Sequence, residues 1–193
     1  MDRAAVAAAE KHQSILEAPH SHRTSIQHIF VKNMYQIGVH RTDDGAGIAY
    51  QIHGGGPATP LVLIMGLSCV MEDWTPLVEA LGRTRKVLIF DHRGIGKSVV
   101  PEEWNHELDF DIMSNDLLSL LQSLGKQWLT IDALGFSMGG HMLQYMITRQ
   151  GTHVEKKGGI ELGYGVSVRK VILAATMTKM PRGDIDLTKM QEE

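Results

Sequence analysis

The chain has 193 residues, a length typical of one domain with a sizeable hydrophobic core. Its composition, 43% hydrophobic and 21% charged residues, is that of a folded globular protein and argues against a disordered chain. The formal net charge of -3 at pH 7 provides no basic field, so a nucleic-acid partner is not expected. The longest apolar stretch, residues 61–71, is too short to span a membrane.

The opening segment, residues 1–33, is predicted to be an N-terminal extension, because an alanine-rich start gives way to a stretch rich in His and Ser. His20 and His22 have no Cys or carboxylate partner at ligand spacing, so neither a metal site nor a cofactor is expected. Cys69 is the only cysteine, which excludes an intrachain disulfide and favours a reducing compartment such as the cytoplasm.

Alternating and apolar runs predict the strands of the first half of the chain. Residues 34–40 and 47–53 alternate on either side of the turn-forming sequence Asp-Asp-Gly, residues 43–45, which predicts an antiparallel hairpin. Residues 61–65 and 86–90 are continuous apolar runs. Because parallel strands are covered on both faces, these runs predict buried parallel strands.

Two helices are predicted in the same region. Residues 72–81 are expected to form a helix with Asp73 as its N-cap. Residues 111–124 carry a broad apolar face at helical spacing, which predicts an amphipathic helix. Asp111 suits the start of this helix and Asp116 its exposed face.

Residues 91–98, Asp-His-Arg-Gly-Ile-Gly-Lys-Ser, resemble two kinds of phosphate-binding loop, and neither pattern is complete. A Walker A loop needs a glycine five residues before Gly96, and Asp91 stands there. A three-glycine dinucleotide motif fails at position 99, which is valine. We therefore expect Asp91 and Arg93 to brace a tight glycine loop near the functional site.

The most informative stretch is Gly-Phe-Ser-Met-Gly-Gly, residues 135–140. The apolar run 128–134 before it predicts a buried strand, and residues 141–147 after it predict a helix. Between a strand and a helix, G-x-S-x-G forces a sharp reversal, so Ser137 is expected to have a strained backbone with positive φ. Two glycines would let strand and helix approach closely, because they lack Cβ atoms: Gly135 and Gly139.

This motif resembles the nucleophile elbow of the α/β-hydrolase family. Two upstream stretches agree, since residues 61–67 resemble the family's third strand and oxyanion turn, and residues 87–98 its fourth strand and D-x-R-G-x-G-x-S loop. The resemblance implies an α/β fold: a mostly parallel central sheet, an antiparallel N-terminal hairpin and helices on both faces. It implies a partial, truncated domain over residues 34–180, followed by a C-terminal tail, residues 181–193.

The resemblance also implies a chemistry and a set of site residues. The activity would be that of a serine hydrolase acting on a small-molecule carboxylic ester or a related bond. Ser137 would attack the substrate, and the backbone N–H groups of Leu67 and Met138 would stabilise the oxyanion.

The acid and the histidine of a catalytic triad are not evident in the sequence. In this fold they follow the serine in the order acid, then histidine. Only His141 and His153 follow Ser137. We expect His141 on the helix surface, pointing away from the hydroxyl, and nothing assigns His153 to the site. Asp184 and Asp186 lie past the last predicted strand and match the family pattern poorly.

Residues 151–168 are rich in glycine without a convincing period, which predicts a mobile insert. A final strand, residues 169–175, would then leave an exposed sheet edge, so self-association is expected. Two hypotheses of function stay open: a serine hydrolase whose triad is completed elsewhere, or a catalytically inactive truncated product that acts, if at all, as a binding or interaction module.

Overall fold

The computed structural model describes residues 34–104, 107–149, 151–154 and 159–178. The predicted N-terminal extension and the predicted C-terminal tail lie outside these residues. The described residues form eight strands in one mixed sheet, in the order β1-β2-β4-β3-β5-β8-β7-β6. The strands are β1 (Met34–Arg41), β2 (Gly47–Gly54), β3 (Ala58–Ile64), β4 (Arg85–Phe90), β5 (Thr130–Phe136), β6 (His153–Val154), β7 (Ile160–Gly163) and β8 (Val166–Ala174).

The centre of the sheet is parallel and its two flanks are antiparallel. β3 pairs in parallel with β4 and β5, and β5 pairs in parallel with β8. β1 and β2 form the N-terminal hairpin, and β2 continues antiparallel onto β4. The predicted sheet, mostly parallel in its centre with an antiparallel hairpin at its start, is therefore confirmed.

Among the described residues, three helices cover both faces of this sheet: α1 (Thr75–Leu81), α2 (Phe110–Ser123) and α3 (Met138–Thr148). Successive residues of β3 enter different cores, because side chains alternate across a strand. Val62 joins the core formed with α2 and α3, and Leu63 joins the core formed with α1. Both side chains are fully buried, which explains why the strand reads as a continuous apolar run.

The starts of two predicted elements differ in the structure. β5 begins at Thr130, because Lys126–Trp128 forms a 3₁₀ turn that carries the fully buried Trp128 into the core. The predicted N-cap at Asp73 is wrong, since this residue lies inside a 3₁₀ turn, Met71–Trp74, that precedes α1. Its carboxylate instead accepts a hydrogen bond from the Val70 amide at 3.0 Å.

The glycine-rich segment 151–168 contains regular structure that the sequence analysis did not predict. Its described residues include β6, β7 and the start of β8, which form an antiparallel extension of the sheet. β7 pairs with residues 166–168 of β8, so the edge is partly covered where an unstructured insert was expected. These strands are two to four residues long, too short to produce a period of their own.

A buried charge network ties the hairpin turn to the loop after β4 and to α2. The Arg93 guanidinium donates to Asp116 with Nε–Oδ2 at 2.9 Å and Nη2–Oδ1 at 2.5 Å, and it also pairs with Asp44. Its central carbon lies 4.5 Å from the centroid of the Trp104 ring. Asp116 is buried, so its predicted place on the exposed face of the helix is wrong. The partner that makes this burial tolerable is far away in the sequence.

We expect Asp44→Asn to destabilise the fold in a pH-dependent way. The hydrogen bond from Arg93 lowers the pKa of Asp44 to about 2, below its usual 3.8. A carboxylate with a lowered pKa stabilises the fold above pH 4, and this contribution is lost as the pH falls towards 2. At pH 7 the free energy of unfolding of the variant should be about 1 kcal/mol lower than that of the parent.

Urea unfolding of both proteins at pH 7, 4 and 2 tests this expectation. The difference between parent and variant should shrink with falling pH. Asp43→Asn, in the same turn, is the matched control and should change stability little at any pH. A difference between parent and Asp44→Asn that is constant from pH 7 to pH 2 would contradict the assignment.

Candidate active site

Ser137 lies at the tip of the bend between β5 and α3. Its backbone has φ 52° and ψ -119°, outside the regions that non-glycine residues normally occupy. The Ser137 amide donates to the Ala174 carbonyl at the end of β8 at 2.9 Å. Its carbonyl accepts from the amides of Gly140 and His141 at 3.0 and 3.2 Å. The bend is therefore held by the sheet on one side and the helix on the other.

Glycines make this bend sterically feasible. A Cβ atom added at Gly135 would lie 2.5 Å from the carbonyl oxygen of Gly139, and one added at Gly139 would lie 2.2 Å from the carbonyl oxygen of Ile64. Carbon atoms do not approach oxygen so closely, so strand and helix can pack at this distance only without those side chains. The two predicted elbow glycines thus occupy the positions where strand and helix come closest.

The turn after β3 lies directly against Ser137. A Cβ atom added at Gly66 would lie 3.1 Å from the Cβ atom of Ser137. Leu67 follows in this turn with an exposed side chain, and Met138 is the first residue of α3. In the described part of the chain, the amides of Leu67 and Met138 donate no backbone hydrogen bond to another element. Neither amide is therefore used by the backbone hydrogen bonds between the described elements.

The surroundings of Ser137 are mostly apolar. The Phe136 ring, which is 38% exposed, packs edge-on against the buried Trp74 ring at a centroid distance of 6.3 Å. The exposed Leu67 side chain lies in the neighbouring turn. Ser137 itself is half-buried, so the site is open to solvent on one side. These side chains offer apolar contact surface in the neighbourhood of Ser137.

No described histidine contacts the Ser137 side chain through a hydrogen bond. His141 is partly exposed on α3, and its ring lies next to that of Phe110, tilted by 41° at a centroid distance of 5.2 Å. Its Nδ1 atom is buried and has no hydrogen-bond partner among the described residues. The side chain of His153, and Asp184 and Asp186, lie outside the residues that the structure describes.

Asp91 braces the glycine loop after β4, as the sequence predicts. The Asp91 carboxylate accepts from the amides of Met71 and Lys97 at 2.7 and 2.8 Å. The Ser98 hydroxyl donates to the Asp91 carbonyl and accepts from the Ala49 amide, both at 2.8 Å. Asp91 is therefore a structural acceptor that connects this loop to the segment after β3.

His92 is a residue whose role the sequence analysis missed. It is buried, and its Nε2 atom lies 2.9 Å from the carbonyl oxygen of Met65, at the start of the turn next to Ser137. Burial lowers the pKa of His92, which favours the neutral ring. In the sequence, His92 is marked only by its position directly after Asp91 at the end of a strand. This position does not reveal that the Met65 carbonyl is its partner.

The described residues contain no group of three or more His, Cys, Asp or Glu side chains arranged to hold a metal ion. None of the described helices combines the length and the apolar composition needed to cross a membrane.

A parallel strand, a strained serine at a glycine-lined bend and a helix together define a class of α/β enzymes that carry a nucleophile elbow. The model of the α/β hydrolase fold family matches residues 59–156, about half of the chain, and the chain belongs to this family. The resemblance to the α/β-hydrolase family that the motifs indicated is confirmed.

Relatives and solved structures agree with this assignment. The RutD protein of Azorhizobium caulinodans, whose name proposes a carbamate hydrolase, is 40% identical over 53 residues, 28% of this chain and 19% of its own length. The protein of the same name from a Caulobacter species is 30% identical over 98 residues, 49% and 35% of the two chains. The crystal structure of a hydrolase from Pseudomonas aeruginosa superimposes with a TM-score of 0.62 at 24% identity, covering 76% of this chain and 48% of the other.

This chain therefore matches about a third or less of these curated relatives and about half of the solved hydrolase. The identity to the Pseudomonas structure is low, so that likeness supports the fold alone. The residues that the family model matches include the strand and the helix on either side of Ser137.

We expect Gly139→Ala to destabilise the fold although alanine favours helices by about 1 kcal/mol over glycine. The new methyl group would meet the backbone oxygens of β3 and of the turn after it, which cannot move aside as a flexible side chain could. The free energy of unfolding should fall by about 1–3 kcal/mol, as it does for other overpacked sites. Chemical denaturation of purified protein measures it.

Gly55→Ala is the matched control, because no atom lies within 4 Å of the added Cβ and the backbone there is not left-handed. This variant should stay within about 0.5 kcal/mol of the parent. Equal stability of the two variants would mean that strand and helix are not packed as closely as described.

Proposed function

We propose that this chain contains the nucleophile and the oxyanion site of a serine hydrolase. The observation that supports this proposal best is the strained backbone of Ser137, φ 52°, at a bend whose glycines permit no side chain. Strain at a non-glycine residue persists only where the surrounding structure imposes it, and it concentrates at functional sites. The Ser137 hydroxyl would attack the carbonyl carbon of a small acyl substrate and form a tetrahedral intermediate.

The amides of Leu67 and Met138 would bind the oxygen that becomes negative in this step. Both belong to backbone segments next to Ser137, and Met138 lies at the positive end of the α3 dipole. Fixed donors of this kind stabilise the transition state because they need no reorganisation when the charge develops. Loss of one such donor costs about 10²–10³-fold in rate in other enzymes.

The proton of the Ser137 hydroxyl needs an acceptor, and no described histidine is bonded to that hydroxyl. We therefore propose that the described residues alone turn over substrate slowly, with hydroxide or water taking the proton. A complete triad would add a histidine and an acid to the same nucleophile.

Carboxylic esters are the proposed substrate class, because an ester presents the carbonyl carbon and the alkoxide leaving group that this site can use with the least assistance. The apolar surface of Phe136 and Leu67 favours an ester with an apolar group near the bond. Carbamates are a second candidate, and the likeness to the RutD proteins, limited to a part of their length, favours them.

The alternative is that this chain is catalytically inactive and acts, if at all, as a binding or interaction module. Covalent labelling with a fluorophosphonate separates the two proposals, since the probe reports nucleophilic attack without needing substrate turnover. We expect one adduct per chain, mapped to Ser137 by mass spectrometry and absent in Ser137→Ala. Ser68→Ala, which removes a serine from the adjacent turn, is the matched control and should still be labelled.

The pH dependence of labelling reports the base. If no histidine assists, the rate should keep rising with pH from 6 to 9, because the acceptor is hydroxide. A labelling rate that levels off near pH 7 would show that a histidine takes the proton, and would contradict the proposal that none assists. Absence of any adduct under conditions that label a known serine hydrolase would favour the binding module.

We also propose that the chain self-associates through part of β8. Residues 169–174 pair with β5 on one side, and none of the described strands lies on the other side, because β7 ends its pairing at Val168. Ile172 and Leu173 are 52% and 44% exposed. An apolar strand edge with free N–H and C=O groups is a template for pairing with a second copy.

Replacement of both Ile172 and Leu173 by lysine should abolish this association, because charges on an edge strand oppose strand pairing. Sedimentation velocity over a range of concentrations should show a dimer or larger species for the parent and a monomer for the variant. Ile37→Lys, at the opposite edge in β1, is the control and should associate like the parent. A parent protein that stays monomeric at all concentrations would refute the proposal.

A further inference from the structure

The turn that carries the Leu67 amide, residues 65–71, has no regular secondary structure until the 3₁₀ turn begins at Met71. Such a segment has no ladder of hydrogen bonds to fix its amides. An oxyanion donor, however, must be aimed at a defined point to stabilise the charge that forms there. Something outside the turn must hold its backbone in place.

His92 fixes the start of the turn. Its Nε2 atom lies 2.9 Å from the Met65 carbonyl oxygen, and because a carbonyl can only accept, Nε2 must carry the hydrogen. The ring is almost completely buried and packs edge-on against Phe90 at a centroid distance of 5.1 Å. The donor is thus held rigidly at the end of β4.

The same carbonyl also lies close to α3. A Cβ atom added at Gly139 would lie 2.5 Å from the Met65 oxygen. The Met65 carbonyl oxygen is therefore near both the His92 ring and the first turn of α3. The next residue, Gly66, is the one that lies against Ser137, so the position of this peptide sets the geometry of the site.

Asp91 fixes the end of the turn. One carboxylate oxygen accepts from the Met71 amide at 2.7 Å and the other from the Lys97 amide at 2.8 Å. Gly96 lets the carboxylate reach this position, since a Cβ atom there would lie 2.4 Å from an Asp91 oxygen. Two adjacent residues at the end of β4 thus hold both ends of the turn.

We propose that His92 and Asp91 are positioning residues that clamp the turn 65–71 and thereby aim the Leu67 amide at the oxyanion. The catalytic part of this inference rests on the proposed function of Ser137. The effect of the clamp on the order of this backbone segment does not depend on that function, so it can be tested without any activity.

The test compares the parent chain with His92→Leu, His92→Gln and His53→Leu. Leucine removes the donor, whereas the glutamine amide nitrogen can occupy the position of Nε2 and donate to the same carbonyl. His53 is the matched control, because it is also buried and bonds a side chain, that of Gln51, at 2.8 Å. Two quantities are measured: hydrogen exchange in peptides covering residues 65–71, and the rate of fluorophosphonate labelling of Ser137.

We expect His92→Leu to raise hydrogen exchange in this peptide and to slow labelling about 10–100-fold. The effect should be smaller than that of deleting an oxyanion donor, because the Leu67 amide would be displaced and not removed. His92→Gln should restore most of both quantities, and His53→Leu should change neither. If His92→Leu does not fold, His92→Asn replaces it, because its shorter amide cannot reach the Met65 carbonyl.

Unchanged exchange at residues 65–71 in the leucine or asparagine variant would overturn the clamp. Raised exchange with unchanged labelling would overturn its link to the oxyanion. If the parent is not labelled at all, the proposed function fails, and the exchange measurement alone decides whether the clamp exists.

Discussion

The structure depends on one local constraint, the positive φ of a non-glycine residue at Ser137. Such a conformation costs about 1–3 kcal/mol and must be compensated by the surrounding packing. The compensation comes from the buried strand before the bend, the hydrogen bond from the Ser137 amide to β8, and the glycine contact between β5 and α3. Because β3 and β8 flank β5, the central strands are needed to impose this one backbone angle.

Two sets of polar contacts connect this bend to the rest of the fold. Asp91 and His92 bind backbone groups of the turn that lies against Ser137. Arg93, the next residue, pairs with Asp44 in the hairpin turn and Asp116 in α2, and its buried charge is thereby neutralised. Three successive residues at the end of β4 therefore join the candidate site, the hairpin and the helix layer. Removal of a single partner from a buried charge pair is costly, which makes this segment sensitive to substitution.

Much of the fold could be predicted from the sequence, because its signals are local. Continuous apolar runs indicated the central strands, and the G-x-S-x-G motif between a strand and a helix indicated the bend. The strands β6 and β7 could not be predicted, because they are short and their order depends on pairing with β8. The burial of Asp116 was missed for a related reason, since its partner Arg93 lies 23 residues earlier.

The candidate site shows the same division between local and distant information. Ser137 and its glycines could be identified from one motif, and the turn at Gly66 from another. The position of His92 against the Met65 carbonyl could not, because the contact spans 27 residues and involves a backbone oxygen. Likewise, the contact of His141 with Phe110, at the start of a different helix, could not be predicted from the motif.

A crystal structure of the protein after reaction with a fluorophosphonate tests the central claim most directly. We expect the phosphorus to be bonded to Ser137 Oγ, the serine to keep a positive φ, and one phosphonyl oxygen to accept hydrogen bonds from the amides of Leu67 and Met138. A serine with an ordinary helical or extended backbone, or a phosphonyl oxygen that faces away from both amides, would contradict it.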